Sequence, residues 1–166
     1  MILVCYDGSD DAKAAVAHGG ELLRGQAATV LTVWEPFARV LTRYPTGLGP
    51  MAGMATMEEI DANSQKEAER RAQEGAELAR QAGLDAEART RPDDATMAQT
   101  ILAEADVVGA SAILMGSRGL SGLKSMLLGS VSHAVIQQAD RTVIIVPSPQ
   151  SAASRVHELH AIEESG

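Results

Sequence analysis

Residues 2–9 read Ile2-Leu3-Val4-Cys5-Tyr6-Asp7-Gly8-Ser9, an apolar run that ends in a polar turn. A short apolar run bounded by turn residues is typical of a strand that is buried on both faces. Ser9 or Asp10 can then cap a helix that ends at Gly25, since a side-chain oxygen accepts the free amides of a first helical turn. The opening of the chain therefore predicts a buried strand followed directly by a helix.

The alternation of strand and helix continues along the rest of the chain. We expect five strands, at 2–6, 29–34, 85–91, 112–115 and 142–146. We expect four helices: one after Ser9, one over 57–81, one capped by Asp93 or Asp94, and one over 130–139. Alternating strands and helices build a parallel sheet through right-handed crossovers. The pattern predicts one α/β domain over residues 1–148, followed by a mobile tail over 149–166.

Segment 35–56 interrupts this alternation, because it contains three prolines and three glycines. A loop of this length usually carries function or is disordered. We expect it to lie over a ligand, with Arg39 or Arg43 able to approach an anion, although a solvated loop is an equally good interpretation.

The composition and net charge of the chain limit the partners and the compartment that it can have. The chain of 166 residues has 14 Lys and Arg against 22 Asp and Glu, a formal net charge of -8, which argues against nucleic acid as a partner. The one cysteine, Cys5, cannot form an internal disulfide, and we expect it to be a packed core thiol. No basic leader and no apolar run near the ~20 residues of a membrane span is visible. A cytoplasmic protein without membrane contact is the expectation.

The most informative motif is Gly116-Ser117-Arg118-Gly119, then nine residues, then Gly129-Ser130-Val131. It joins the end of the fourth strand to the start of the last helix. Glycines let main-chain amides approach a ligand, and a helix N-terminus, here expected to be capped by Ser130, attracts an anion. Residues 116–138 contain no acid but include Arg118 and Lys124. The motif therefore predicts a phosphate-binding loop.

This loop also has a purely structural interpretation. The glycines could serve only a tight connection, with Arg118 and Lys124 as solvated charges. The loop is also neither a Walker A sequence nor a Gly-x-Gly-x-x-Gly dinucleotide fingerprint. Three glycines at a strand-to-helix junction favour phosphate binding over the purely structural interpretation.

The glycine spacing resembles the ATP-binding signature of the universal stress protein family. The opening residues 2–9, Met115 before the first glycine, and the closing Thr142-Val143-Ile144-Ile145-Val146-Pro147 are similar to that family as well. The resemblance implies a Rossmann-like (adenine nucleotide alpha hydrolase-like) open sheet of five parallel strands, order 3-2-1-4-5, with helices on both faces. It also implies a crevice for ATP at the carboxyl ends of strands one and four.

The resemblance assigns the site residues. Around the adenosine it places Cys5, Tyr6, Asp7, Val33, Met115 and Gly116. Around the phosphates it places Arg118, Gly119, Gly129, Ser130 and Val131. Asp7 most simply bonds a ribose hydroxyl, and Mg²⁺ would accompany the triphosphate. Asp10 and Asp11 most simply serve the N-terminus of the first helix.

The last strand adds an expectation about assembly. Val143–Val146 is apolar, yet the implied strand order puts it at a sheet edge, where an uncovered apolar strand invites pairing. We expect a homodimer through this strand, as is common in the family. The function expected is an ATP-dependent stress-response or regulatory module with an unidentified protein partner and, at most, slow ATP hydrolysis. The alternative is a dimeric scaffold that binds no nucleotide.

Overall fold

Five parallel strands form one sheet in the order β3-β2-β1-β4-β5 in the computed structural model, which describes residues 1–43, 56–120, 128–150 and 152–153. The strands are β1 (Ile2–Cys5), β2 (Ala27–Trp34), β3 (Asp85–Pro92), β4 (Ala112–Gly116) and β5 (Thr142–Val146). The helices are α1 (Asp10–Leu22), α2 (Phe37–Arg43), α3 (Met57–Gln81), α4 (Met97–Val107) and α5 (Ser130–Gln138). The predicted fold class and strand order are confirmed.

The sheet is covered on both faces because alternate residues of its central strand point in opposite directions. Ile2, Val4 and Tyr6 pack with α1 and α3, whereas Leu3 packs with α4 and α5. Each face is aliphatic. The first includes Ala15, Val16, Ala76, Ala79 and Leu114, and the second includes Leu31, Ile101, Ala105, Ile113 and Val135.

Two local predictions about helices need correction. Residues 37–43 form helix α2 within the segment expected to be a loop, and residues 44–55 lie outside the described residues. Helix α4 is capped by Thr96, whose hydroxyl accepts from Gln99 N at 3.2 Å, and not by Asp93 or Asp94. Asp93 N instead donates to the carbonyl of Trp34 at 2.7 Å and so extends the pairing of β2 with β3.

Helix α2 lies at the carboxyl end of β2, where it is bonded to α3 on one side and to the residues before α4 on the other. Phe37 N donates to Asp61 Oδ1 of α3 at 2.6 Å. The Arg39 guanidinium donates to the carbonyl of Ala95, just before α4. Arg39 therefore braces α2 against the start of α4, and the expected approach of Arg39 to a ligand phosphate would require breaking this contact. The side chain of Arg43 lies outside the described residues.

The described part of the C-terminal tail begins with a short helical segment. Residues 149, 150, 152 and 153 are helical, and Ala152 N donates to Ser148 O at 2.8 Å. The tail beyond 153, for which mobility was expected, lies outside the described residues. Among the helices that the structure describes, none combines the length and the apolar character needed to span a membrane.

Helix α3 approaches the sheet closely through a face of small residues. A Cβ added at Gly75 would lie 2.7 Å from the ring of Tyr6 and 2.9 Å from Val30 Cγ1. The Tyr6 ring cannot retreat, because it is only 2% exposed and its hydroxyl donates to Glu74 Oε1 at 2.7 Å. Gly75 is therefore required by packing and not by its backbone conformation.

Gly75→Ala should destabilise the protein, although Gly→Ala in a helix ordinarily stabilises by up to about 1 kcal/mol. Overpacking against Tyr6 should lower the free energy of unfolding by about 1–3 kcal/mol. Urea denaturation followed by circular dichroism measures it. Gln73→Ala, on the exposed side of the same helix, is the control and should change stability by about 0.5 kcal/mol or less. A stabilised Gly75→Ala protein would contradict the packing described.

Candidate functional site

A cavity of about 410 Å³ lies at the carboxyl edge of the sheet. It opens where β1 neighbours β4, the point at which the strand order changes direction and where open parallel sheets bind ligands. The cavity is lined by all eleven residues expected at the site: Cys5, Tyr6, Asp7, Val33, Met115, Gly116, Arg118, Gly119, Gly129, Ser130 and Val131. The fold therefore brings together residues that are as far as 126 positions apart along the chain.

The side of the cavity that faces α4 is apolar. Val33 and Met115 belong to the core face shared with α4 and α5, and Leu31 lies beside them. Met97 and Ile101 of α4 complete this wall. Sequence reasoning missed Leu31, Met97 and Ile101, since apolar residues at helical spacing give the same signal whether they fill a core or line a pocket.

The opposite side of the cavity is formed by the loop that follows β4, and Asp11 of α1 anchors this loop. The Asp11 carboxylate is 5% exposed and accepts from Ser117 Oγ at 2.6 Å and from Arg118 N at 3.0 Å. The Arg118 guanidinium lies 3.9 Å from the same oxygen. Asp11 was expected merely to favour a helix N-terminus, and this prediction missed its main contacts. A buried carboxylate satisfied in this way holds the start of the loop against α1.

Asp7 anchors the next part of the loop. Its Oδ1 accepts from Ser9 N at 3.0 Å, and its Oδ2 accepts from Leu120 N at 3.0 Å. The carboxylate thus shapes its own turn and holds residue 120 at the cavity rim. The expected bond from Asp7 to a ribose hydroxyl would use the acceptor capacity that remains, because each carboxylate oxygen has two lone pairs.

The loop closes on itself at the start of α5. Gly129 N donates to Ser117 O at 2.8 Å, and Ser132 Oγ donates to Gly116 O at 3.0 Å. The N-cap of α5 is Gly129, and not Ser130 as expected, and no side chain among the described residues caps this helix. The first amides of α5 therefore lie at the cavity without intrahelical acceptors, which is the arrangement that attracts anions.

The three motif glycines differ in what requires them. A Cβ at Gly116 would lie 2.6 Å from the Asp11 carbonyl carbon, and one at Gly119 would lie 2.6 Å from Asp7 Oδ2. A Cβ at Gly129 would meet no atom of the described residues nearer than 3.4 Å, an ordinary contact, and its φ of -67° suits any residue. Packing within the protein explains Gly116 and Gly119, but it does not explain Gly129.

Cys5 and Tyr6 occupy the cavity wall in different ways. Burial, followed by the nearby Asp7 carboxylate, raises the pKa of the Cys5 thiol to about 12, so the thiol stays protonated. Burial and the hydrogen bond to Glu74 raise the pKa of Tyr6 well above its usual range, so its hydroxyl remains a donor to Glu74. Neither group is suited to be a nucleophile.

Four other lining residues were absent from the sequence analysis of the site. They are Ala12, Arg71, Leu120 and Ser132. Ala12 follows the anchor Asp11, and Ser132 lies in the first turn of α5, so the strand-to-helix junctions could have indicated both. Arg71 lies in the middle of α3, far from any motif, and no sequence pattern pointed to it.

An open parallel sheet in the order 3-2-1-4-5, with a crevice at its switch point, defines the Rossmann-like class of α/β domain. The chain belongs to the universal stress protein family, whose model matches residues 1–147. It is 37% identical over 147 residues to the universal stress protein YxiE of Bacillus subtilis, a match that covers 87% of this chain and 97% of that protein.

Solved structures of other proteins share the fold, among them two complexes with nucleotides. The universal stress protein of Archaeoglobus fulgidus in complex with dAMP has a TM-score of 0.57 and 24% identity, covering 87% of this chain and 95% of that chain. A universal stress protein in complex with cAMP has a TM-score of 0.57 and 23% identity, covering 89% of this chain and 95% of that chain. These proteins bind adenine mononucleotides within the same architecture.

The single thiol offers a direct test of the cavity wall. With a pKa near 12, about one Cys5 thiol in ten thousand is ionised at pH 8, against roughly a quarter in an unfolded chain. The native protein should therefore react with iodoacetamide at least a hundredfold more slowly than the guanidinium-unfolded protein, as followed by mass spectrometry. Equal rates in the two states would show that the thiol is neither buried nor protonated.

Proposed function

We propose that this chain binds ATP with Mg²⁺ in the cavity between β1 and β4 and acts as a nucleotide-dependent stress-response or regulatory module. The observation that carries the proposal is one cavity with two chemically distinct halves. Its α4 side is apolar and suits a purine, while its other side presents main-chain amides at the N-terminus of α5. The dAMP and cAMP complexes of two proteins with this fold support an adenine nucleotide.

The residues divide according to these halves. Val33 and Met115 would contact the base, and Cys5 would contribute its neutral thiol as apolar surface. Gly119, Gly129, Ser130 and Val131 would supply amides to the phosphates, because phosphate oxygens accept from helix N-termini and glycine-rich loops. Gly129 supports this assignment, since no described neighbour requires a glycine there and its bare main chain leaves room for a phosphate to approach.

Magnesium fits as a companion of the triphosphate. In the described residues no group of three or more His, Cys, Asp or Glu side chains could hold a metal ion. Asp7 provides one carboxylate at the cavity. Mg²⁺ commonly binds through one or two carboxylates together with substrate phosphates and water, so Asp7 with the nucleotide would complete its coordination.

Rapid ATP hydrolysis is not part of the proposal. Asp7 and Asp11 each accept two hydrogen bonds that fix the turn after β1 or the loop after β4, and Ser117 is a weak base bonded to Asp11. An enzyme that hydrolyses a phosphoanhydride quickly needs a group that orients water. We therefore expect at most slow hydrolysis.

A cytoplasmic location and an unidentified protein partner also remain predictions.

ATP with Mg²⁺ should raise the thermal midpoint of unfolding. At a hundredfold excess over Kd the ligand adds about 2.7 kcal/mol of stability, or about 5–10 °C for a domain of this size. Differential scanning fluorimetry measures the shift, and GTP should give a smaller one. A midpoint that does not move with ATP would favour the alternative of a scaffold that binds no nucleotide.

Gly129→Ala is the sharpest variant for this test, because its Cβ fits the protein alone. The midpoint without ATP should fall by no more than a few degrees, since alanine is a poorer N-cap than glycine, while most of the ATP-induced shift should disappear. Gln137→Ala, on the exposed side of the same helix, is the control and should keep the full shift. An undiminished shift in Gly129→Ala would remove the ligand from this loop.

We also propose a homodimer through β5. This strand lies at the sheet edge beside β4, and its residues Val143, Ile144 and Ile145 are only partly buried. Exposed apolar edges are normally paired or covered, and two copies of β5 could pair about a twofold axis. The dimer is compatible with nucleotide binding, because the cavity opens at the carboxyl edge and not along β5.

Sedimentation velocity at micromolar concentration should give the mass of a dimer. Ile144→Lys should shift the mass toward the monomer, because a lysine charge is costly in a paired apolar edge. Leu22→Lys, at an exposed leucine that is 73% accessible at the end of α1, should leave the dimer intact. A wild-type monomer at these concentrations would overturn the proposed assembly.

A further inference from the structure

Arg71 of α3 lines the same cavity as the loop that follows β4, although the two are far apart in the sequence. Its position follows from helix geometry. Gly75 packs on the ring of Tyr6, the residue that precedes Asp7 at the carboxyl edge. Arg71 lies four residues earlier on the same face of α3, about 6 Å further along the helix axis. Since the crossover helix runs antiparallel to the strands, this step carries Arg71 past the end of β1.

Among the described residues, the Arg71 guanidinium bonds to the carboxylate of Glu67, which also accepts hydrogen bonds from Arg70. Arg71 Nε donates to Glu67 Oε1 at 3.1 Å. Glu67 also accepts from Arg70 through two hydrogen bonds, at 2.9 and 2.8 Å. These contacts, led by the hydrogen bond from Arg70, lower the pKa of Glu67 to about 2, so Glu67 remains charged at neutral pH. If Arg71 moved away, Glu67 would keep its bidentate partner.

The charges around the cavity distinguish Arg71 from Arg118. Among the described lining residues the charged side chains are Asp7, Arg71 and Arg118. Arg118 is 15% exposed and faces the buried Asp11 carboxylate, which offsets its charge. The Arg71 side chain is 35% exposed and shares Glu67 with a second arginine. Lys124 lies outside the described residues. Among the described lining residues, Arg71 is therefore the cation that can turn toward an anion while its carboxylate partner keeps a second arginine.

We propose that Arg71 turns from Glu67 toward the phosphates of the bound nucleotide and makes affinity depend on their number. The inference rests on the proposed nucleotide binding and adds a residue that selects for the longer phosphate chain. A nucleoside triphosphate carries more negative charge than a monophosphate and reaches further from the ribose. A guanidinium at the edge therefore favours ATP over AMP through charge-assisted hydrogen bonds.

Isothermal titration calorimetry with ATP and with AMP, each with Mg²⁺, tests this role. For Arg71→Gln we expect ATP to bind about tenfold more weakly, the loss of one charged hydrogen bond, and AMP to change by about twofold or less. Arg71→Lys should recover part of the preference for ATP, because it keeps the charge but not the planar fork. Lys66→Gln removes one positive charge from an exposed site on the same helix and should leave the ratio of the two affinities unchanged.

The outcomes separate this inference from the proposed function. Equal weakening of ATP and AMP in Arg71→Gln would overturn the role in selecting phosphates while leaving nucleotide binding in place. A wild-type protein that binds neither nucleotide would overturn both. Melting curves without ligand exclude unfolding as the cause, since Arg71 is partly exposed and its removal should change the midpoint little.

Discussion

The buried contact between Asp11 and the loop after β4 is the constraint on which the site depends. It joins the first turn of α1, which follows the central strand, to Ser117 and Arg118 on the other side of the switch point. Without this carboxylate, a buried hydroxyl and a loop amide would lose their acceptor, at a cost of about 1–3 kcal/mol for each group left unsatisfied. The same contact places Gly116 so close to α1 that only a glycine fits there. The position of the loop after β4 is thus set from α1.

The sequence predicted the sheet better than it predicted the contacts at the edge of the sheet. The apolar runs at 2–6 and 112–115 indicated buried strands, because burial on both faces leaves no polar positions, and the run at 142–146 indicated the last strand. The eleven expected site residues meet at one cavity because parallel strands end at a common edge. Asp11 was misinterpreted because an acid in a first helical turn is common, and its neighbour in space lies 106 residues away. Arg71 was missed for the same reason, since helix packing and not spacing brings it to the edge.

The glycines of the motif are required for different reasons, so the motif alone does not establish a binding site. Gly116 and Gly119 are explained by contacts to Asp11 and Asp7, so a chain that bound nothing would need them equally. Gly129 is the exception, because its backbone angles and the neighbouring residues that the structure describes both accept a larger residue. The same division applies to the small face of α3, where packing against Tyr6 and Val30 requires Gly75. Close packing and ligand approach select the same residue type, and only the geometry of each position distinguishes them.

The end of β2 has a practical consequence. The chain contains one tryptophan, Trp34, which closes this strand directly after the cavity-lining Val33 and whose carbonyl accepts from Asp93 N. All tryptophan emission of the protein therefore originates beside the apolar end of the crevice. The intrinsic fluorescence of the unlabelled chain therefore reports on the strand end next to Val33, with no dye to alter the surface.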